Sequence, residues 1–235
     1  MCYFVSVIKS RIELEKRFNS KFSEPDKYSP LYFTSAFELP KLPFIRGDSA
    51  GSIELFNWGL IPRWVKDIDF AKKIRYKTFN ARFETIFEKP SFKHLIRDKR
   101  GILPVSGFFE WKKIKDEKYP YFIKLNSEEI FSLGGIWDFW KNPDNGDIIK
   151  TFSIITLPAN GFMRKIHTTQ NRMPLILSGG TEKDWLDFSL TKKQLKDFVT
   201  GNKVESLSAY PVDKRIRKLG NRKEVLYRFE YDNIR

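Results

Sequence analysis

Residues 101–112 read GILPVSGFFEWK, and this stretch determines the class of fold that the chain can adopt. Two apolar runs, residues 101–105 and 108–112, flank the pair Ser106 and Gly107. Each run has the length of a strand and is rich in β-branched or aromatic residues, and a serine–glycine pair is typical of a break between strands. The stretch therefore predicts two consecutive β-strands.

Runs of the same kind recur on both sides of it, rich in Val, Ile, Phe and Tyr and bounded by turn residues. The predicted strands are residues 3–8, 31–37, 53–58, 101–105, 108–112, 121–125, 131–139, 151–156, 174–177, 204–207 and 225–229. The predicted helices are residues 11–18, 81–88, 92–98, 182–188 and 192–199, with Thr181 and Thr191 as N-caps of the last two, and residues 142–146 form a turn. Many strands with a few short helices predict a single α+β domain, residues 1–235, around curved antiparallel sheet.

The charge balance suggests a polyanionic partner. Lysine and arginine total 43 against 29 acidic residues, which gives a net charge of +14. A cationic protein is attracted to nucleic acid because neutralising phosphates releases counterions. A lysine-rich surface that only keeps the protein in solution gives the same balance, so charge alone leaves both interpretations open.

Cysteine use and hydropathy limit the remaining classes. The chain has one cysteine, Cys2, which excludes an internal disulfide framework and suggests a reducing compartment. Together with only His94 and His167 it cannot form a usual structural zinc site, and no segment has the length of a membrane span. We expect an intracellular protein without a metal or cofactor.

The most informative single position is Cys2, directly after the initiator Met1. A small second residue favours removal of the initiator methionine, which would leave a free α-amine and a thiol on adjacent carbons. The pKa values of such groups, roughly 8 and 8.5, leave both partly nucleophilic at neutral pH. The amine can condense with an aldehyde, and the thiol can close on the imine to form a thiazolidine. The alternative is a small buried hydrophobic residue after a start codon.

Two further residues could supply acid–base chemistry. Glu110 lies in a predicted strand of large apolar residues, where a carboxyl group is either paired or raised in pKa, although an edge-strand glutamate in water is the alternative. His167 lies between two apolar strands beside Asn171 and Arg172, which favours a site over the usual surface histidine. The two side chains normally differ in pKa, as an acid–base pair requires.

Other polar and aromatic residues suit contact with DNA. Asn80 and Arg82 lie at the start of a predicted helix and could hold a phosphate, or they could simply cap the helix and form a surface ion pair. Three tryptophans could stack on unpaired bases: Trp58, Trp64 and Trp111. The alternative is packing in the core, which is favoured for Trp58.

These segments together resemble the SOS-response-associated peptidase (SRAP) domain family of abasic-site-processing proteins. The resemblance rests on Met1-Cys2 and on WGLIPRW at 58–64, NARFET at 80–85, PVSGFFEWKK at 104–113, FSIITLPAN at 152–160, RMPLIL at 172–177 and YPV at 210–212. The pieces follow the order of the family over nearly the whole chain. The resemblance implies an SRAP-like domain whose curved sheets form a barrel-like core with short peripheral helices.

The resemblance also implies a function and roles for residues. Members of the family shield abasic sites in single-stranded DNA, including single–double-strand junctions, by covalent attachment. Cys2 would be the crosslinking nucleophile, Asn80 would position it, and Glu110 and His167 would transfer protons. The residues expected to contact DNA are of two kinds. Arginines would bind phosphates (Arg63, Arg82 and Arg172), and tryptophans would line the path of the strand (Trp58, Trp64 and Trp111). We expect a cytoplasmic monomer that joins the nucleoid on DNA damage, and autoproteolysis or an aminopeptidase would expose the same cysteine.

Two departures and two competing functions remain. The family often has Gly and Arg after the cysteine where this chain has Tyr3 and Phe4, and four residues rather than one separate His167 from Arg172. A basic run, residues 214–223, either extends the DNA footprint or is a solvated loop. The alternatives to a covalent abasic-site sensor are a cysteine peptidase that acts on other proteins and a non-covalent reader of modified DNA.

Overall fold

The computed structural model describes residues 2–204 and 206–232. Its strands are β1 (Phe4–Val7), β2 (Lys21–Phe22), β3 (Leu31–Ser35), β4 (Lys41–Arg46), β5 (Ser52–Trp58), β6 (Asn80–Arg82), β7 (Arg100–Val105), β8 (Gly107–Ile114), β9 (Glu117–Leu125), β10 (Phe131–Lys141), β11 (Ile148–Pro158), β12 (Arg172–Pro174), β13 (Ile176–Leu177) and β14 (Leu207–Pro211). Its helices are α1 (Arg11–Phe18), α2 (Ile68–Arg75), α3 (Gly161–Ile166), α4 (Thr181–Leu186), α5 (Lys192–Gly201) and α6 (Ile216–Leu219). Short 3-10 helices span Pro25–Lys27, Ala36–Glu38, Gly47–Ser49, Phe83–Thr85 and Lys223–Leu226.

The two strands in residues 101–112 belong to different sheets. β8 lies in a five-stranded antiparallel sheet of order β14-β9-β8-β1-β3, whereas β7 lies in a larger sheet. The chain changes sheets at Gly107, where a Cβ atom would lie 2.3 Å from the Phe122 ring and 2.7 Å from the Ile123 carbonyl oxygen. The glycine is therefore required because β9 packs directly against the backbone at this point.

The larger sheet closes into a barrel. Antiparallel pairing runs β11-β10-β7-β4-β5, and a parallel pairing of β11 with β5, Phe152 opposite Trp58, returns to the first strand. This confirms the predicted α+β fold with a barrel-like core. Not every pairing is antiparallel, because β6 and β2 also join their neighbours in parallel.

Aromatic side chains fill the barrel and connect it to the smaller sheet. The Phe44 ring lies 5.2 Å from Phe56 and 5.0 Å from Phe152, centroid to centroid. The same apolar cluster extends to Cys2, Val5 and other residues of the five-stranded sheet, so that sheet packs one face on the barrel. Its other face is covered by a second cluster that includes Val212, Ile216 and Val225 from the C-terminal segment, together with Phe4, Phe33, Phe109 and Phe122.

Several element predictions are confirmed. The helix at residues 11–18 has the predicted bounds, and Thr191 caps α5 through a capping box with Gln194. Gly180, not Thr181, is the N-cap of α4. The predicted strand at 204–207 begins only at Leu207, and its residue 205 lies outside the described residues.

Three predicted elements are wrong. Residues 81–88 form the end of β6, a 3-10 helix and turns, and residues 92–98 form turns rather than an α-helix. Residues 225–229 contain the end of a 3-10 helix and an isolated bridge from Arg228 to Val212 instead of a strand. The single-domain organisation of residues 1–235 stays a prediction.

Candidate active site between the two sheets

The four predicted catalytic residues come from both sheets and meet where the sheets pack together. Cys2 precedes β1 and Glu110 lies in β8 of the five-stranded sheet, while Asn80 begins β6 and His167 ends α3 beside the barrel. Asn80 Nδ2 donates a hydrogen bond of 2.9 Å to the Cys2 carbonyl oxygen, and His167 Nε2 lies 3.6 Å from Glu110 Oε2. The structure thus brings together residues that are up to 165 positions apart in the chain.

Asn80 fixes the backbone of Cys2. β6 holds it by parallel pairing with β11, where Asn80 lies opposite Ile154. The side chain is buried, and its Oδ1 atom has no hydrogen-bond partner among the described residues. A buried acceptor of this kind is costly unless a donor reaches it, so Oδ1 is available to a donor group on a ligand or on the chain terminus.

Glu110 is a buried acid with an unusual pKa. Burial away from water disfavours the carboxylate and raises the pKa of Glu110 to about 8. The side chain reaches this position because β8 alternates, so that Phe109 and Trp111 face the C-terminal segment while Glu110 faces the barrel. At neutral pH the group can therefore both donate and accept a proton.

His167 is held as a neutral imidazole in one tautomer. Its Nδ1 atom lies 2.9 Å from the Arg172 carbonyl oxygen, which can only accept, so Nδ1 carries the proton. Burial lowers the pKa of His167 to about 4. The unprotonated Nε2 atom therefore faces Glu110, and the pair can exchange a single proton.

Cys2 itself is buried, with none of its surface exposed. Burial, and then the charge of Glu110, raise the pKa of the Cys2 thiol above its ordinary value. The thiol is therefore neutral at physiological pH, and a step that uses its sulfur as a nucleophile needs a base. Glu110 is the acid–base group whose charge contributes to the raised pKa of the Cys2 thiol.

The predicted stacking residues differ in exposure. Trp64 is 47% exposed and packs beside Phe70 at 6.1 Å, so its ring is accessible to a base. Trp58 is wrongly predicted as a DNA contact, because it is fully buried and its indole N–H donates to the Phe79 carbonyl oxygen at 3.0 Å. Trp111 is half-buried between Phe4, at 4.7 Å, and the guanidinium of Arg217, at 5.4 Å.

The predicted phosphate contacts also separate into two groups. Arg63 and Arg82 are exposed, and the backbone N–H of Arg63 is anchored on the buried Asp138 carboxylate at 2.8 Å. Arg172 is different, because its guanidinium binds the Glu84 carboxylate and the Thr156 carbonyl oxygen. In this arrangement Arg172 connects β12 to the segment after β6. Its two Nη atoms are engaged by the protein, and its Nε atom is buried without a hydrogen-bond partner among the described residues.

A basic groove beside Asn80 was not predicted from the sequence. It has a volume of about 620 Å³ and is lined by Asn80 and by Lys73, Lys77, Arg82 and Lys89, with Phe70 and Phe92 among its apolar walls and without an acidic side chain. We call it the lysine groove. Lys73 comes from α2 and Lys77 from the turn directly after it. The sequence signals of α2 were an Asp67 N-cap and apolar residues at 68, 71 and 74.

Two absences concern only the part of the chain that the structure describes. Within residues 2–204 and 206–232, no helix is long and apolar enough to cross a membrane. Over the same residues, no group of three or more His, Cys, Asp or Glu side chains is arranged to hold a metal ion.

The site combines a thiol, a carboxyl group, an imidazole and an amide between a β-barrel and a second sheet. This combination defines a class of α+β protein with a buried cysteine in its candidate active site. The family model described as SOS response associated peptidase (SRAP) matches residues 1–219. The chain therefore belongs to the SRAP family.

Individual relatives agree with this assignment. The abasic site processing protein YoqW of Bacillus subtilis is 34% identical over 224 residues, which cover 94% of this chain and 96% of that protein. The abasic site processing protein HMCES of Xenopus tropicalis is 31% identical over 222 residues, 83% of this chain and 64% of that protein. A crystal structure of a protein from Bacteroides thetaiotaomicron superimposes with a TM-score of 0.92 at 36% identity, covering 97% of this chain and 100% of that one.

Proposed function

We propose that this protein processes abasic sites in single-stranded DNA by forming a covalent crosslink through Cys2 after loss of Met1. The observation that carries the proposal is the environment of Cys2. Asn80 donates a hydrogen bond to its carbonyl oxygen, and the charge of Glu110 raises the pKa of its thiol. The relatives named as abasic site processing proteins support it. An abasic deoxyribose opens in part to an aldehyde, which is the electrophile that an amine and a thiol on adjacent carbons can trap.

The reaction balances without a cofactor. The Cys2 amine adds to C1′ of the open sugar, and the resulting carbinolamine loses water to give an imine. The thiol then adds across the C=N bond: sulfur bonds to C1′, and the thiol proton is transferred to nitrogen. The product is a thiazolidine, and the net change is the loss of one water molecule.

The neighbouring residues take distinct parts in these steps. Glu110, with a pKa of about 8, would accept a proton from the amine or thiol and return it to the departing water. His167 is a neutral base facing Glu110, so it would receive and supply the proton that Glu110 transfers. Asn80 would hold the Cys2 backbone so that the amine stays within reach of C1′.

The DNA would approach over the exposed basic residues. Arg63 and Arg82 would contact phosphates, Trp64 would stack on a base, and the net charge of +14 would raise the local concentration of the strand. A monomer is sufficient for this chemistry. The protein would act in the cytoplasm and collect at the nucleoid when abasic sites accumulate.

The test is a crosslinking assay. Purified protein, with loss of Met1 verified by intact mass, is mixed with a uracil-containing oligonucleotide that uracil glycosylase has converted to an abasic strand. We expect a heat-stable adduct on a denaturing gel. Strand cleavage, the sign of lyase activity, would appear on the same gel as a shorter oligonucleotide.

Two variants give matched controls. Cys2→Ala keeps the amine and removes the sulfur, so any adduct should appear only after borohydride reduces the imine. Cys2→Ser should behave in the same way, because a hydroxyl group is a poorer nucleophile than a thiol. A heat-stable adduct formed equally by Cys2→Ala without reduction, or no adduct with the wild type, would exclude the proposal.

The peptidase alternative is less consistent with the site. A cysteine peptidase needs a thiolate at neutral pH, whereas burial raises the pKa of the Cys2 thiol. Cleavage of peptide substrates in the presence of excess abasic DNA would favour that function. Self-removal of Met1 is a separate question, and it can be tested by intact mass after translation without an aminopeptidase.

A further inference from the structure

Two exposed aromatic residues and one half-buried tyrosine form a surface beside the candidate active site. Phe37 is 52% exposed and Tyr76 is 53% exposed, and both rings contact the buried Phe79, at 5.3 and 5.8 Å between centroids. Tyr3 completes the group, 5.2 Å from Phe37 and 6.2 Å from Phe79. We call Tyr3, Phe37 and Tyr76 the aromatic surface. Large aromatic rings left in water are unfavourable, so a cluster of them marks a contact surface.

The aromatic surface adjoins the reacting residues. Tyr3 follows Cys2 in the chain, and Phe79 precedes Asn80, which binds the Cys2 carbonyl. Burial and the charge of Glu110 raise the pKa of the Tyr3 phenol, while the charge of Arg82 opposes this shift. Tyr3 therefore lies within electrostatic range of both the proton-transfer residue and a predicted phosphate contact.

An unusual turn presents Phe37 to solvent. Phe37 lies in the 3-10 helix Ala36–Glu38, which ends at Leu39 with φ 52° and ψ 47°. A left-handed conformation is unfavourable for a non-glycine residue, and such strain often occurs at functional sites. The turn keeps Phe37 on the surface although its neighbour Ala36 is fully buried.

Positive charge borders the same surface. Lys73, Lys77 and Arg82 line the lysine groove, which also reaches Asn80. Arg75 precedes Tyr76, and its Nε and Nη2 atoms are buried without a hydrogen-bond partner among the described residues. Aromatic faces next to cations of this density match a nucleic acid strand, whose bases stack while its phosphates are neutralised.

We infer that the aromatic surface binds the nucleobase next to the abasic nucleotide, stacked on Phe37 and Tyr76. The inference rests on the proposed function. A base beside an abasic position has lost its stacking partner on one side, and an aromatic face placed next to Cys2 occupies that empty position. The same contact would align the open sugar with the amine.

The experiment removes the base and the aromatic surface separately. Three single strands carry one abasic site with normal neighbours, with a tetrahydrofuran residue at the 5′ neighbour, or with one at the 3′ neighbour. Tetrahydrofuran has neither a base nor an aldehyde, so it does not crosslink. For the wild type at subsaturating DNA, we expect the initial crosslinking rate to fall about tenfold when one particular neighbour lacks its base.

The variant Phe37→Ala with Tyr76→Ala should be about tenfold slower on the normal strand and should lose nothing more on the baseless strands. Phe37→Tyr should retain the wild-type dependence. Tyr227→Ala, a comparably exposed tyrosine in the C-terminal segment, is the matched control and should behave as the wild type.

The outcomes separate this inference from the proposed function. Equal wild-type rates on all three strands, or a double variant that still distinguishes them, would overturn the inference while leaving the crosslink intact. No adduct on any strand would overturn both. Circular dichroism of the double variant verifies that its fold is unchanged, as expected for two surface positions.

Discussion

At the scale of single residues, the main feature of the site is a buried acid, Glu110, beside a neutral imidazole, His167. Glu110 is protonated at neutral pH because burial raises its pKa to about 8, and His167 is unprotonated because burial lowers its pKa to about 4. The two groups, 3.6 Å apart, therefore hold one proton between them without a net charge. Burying this uncharged pair costs little desolvation free energy, and the pair can still transfer a proton.

Replacing this acid should affect chemistry more than binding. We expect Glu110→Gln to slow crosslinking about 10²-fold, because the amide keeps the size of the side chain but cannot transfer the proton. The affinity of the same variant for a tetrahydrofuran strand should stay within about twofold. Quenched-flow gels give the rate, and fluorescence anisotropy gives the affinity. A parallel loss in both would show that Glu110 only supports the fold.

The same pair predicts how stability depends on pH. Glu110 binds its proton more tightly in the folded state, with a pKa of about 8 against 4.5, so its contribution to the free energy of unfolding falls as pH rises through that window. His167 binds its proton less tightly, with a pKa of about 4 against 6.5, so its contribution rises with pH between those values. The two slopes oppose each other up to pH 6.5, and only the Glu110 slope remains above it.

We therefore expect the free energy of unfolding to decrease by about 1 kcal/mol between pH 6.5 and 8. Urea denaturation at several pH values measures it, and Glu110→Gln should flatten the curve in this window. A curve that rises there, or one that the variant leaves unchanged, would contradict the assigned protonation states.

At the scale of elements, the four residues predicted to be catalytic do lie together, whereas some of the segments that carry them were predicted wrongly. The apolar strands were predictable because they are runs of β-branched and aromatic residues, and α1 because Ser10 and Glu13 form a capping box at its start. Residues 81–88 were predicted as a helix, but Ala81 and Arg82 pair with β11 as part of β6, and this tertiary pairing overrides local propensity. The parallel pairing that closes the barrel could not be predicted from local sequence patterns either, because β11 and β5 are about 90 residues apart.

The element context also changes the expected role of Arg172. Its guanidinium connects β12 to Glu84 and Thr156, and its carbonyl fixes the His167 tautomer, so we expect Arg172 to position the histidine. Arg172→Gln should lower the crosslinking rate at saturating DNA while leaving the salt dependence of binding unchanged. Arg82→Gln is the control, and it should reduce the slope of log K against log salt by about 0.7. A reduced slope for Arg172→Gln would instead identify a phosphate contact.

At the scale of the whole molecule, two groups of basic residues lie in different places: the lysine groove and the basic run 214–223. The lysine groove opens beside Asn80, whereas α6 and the segment after it pack on Phe109, on the face of the five-stranded sheet opposite Glu110. In the basic run 214–223, Lys214 pairs with Glu117 and Arg215 with Asp213. The geometry therefore favours the groove over the C-terminal run as the path of the strand.

Two matched triple variants test this division. Lys73, Lys77 and Lys89 changed to Gln remove three charges from the groove, and Lys218, Arg222 and Lys223 changed to Gln remove three from the C-terminal segment. Because each neutralised phosphate of a single strand contributes about 0.7 to the slope of log K against log salt, the groove variant should lose about 2 and the C-terminal variant close to none. Both are measured by anisotropy in the Cys2→Ala background with a tetrahydrofuran strand, so crosslinking does not interfere. Equal losses would show that the long-range field of the protein matters more than any defined path, and a larger loss in the C-terminal variant would place the strand on the opposite face.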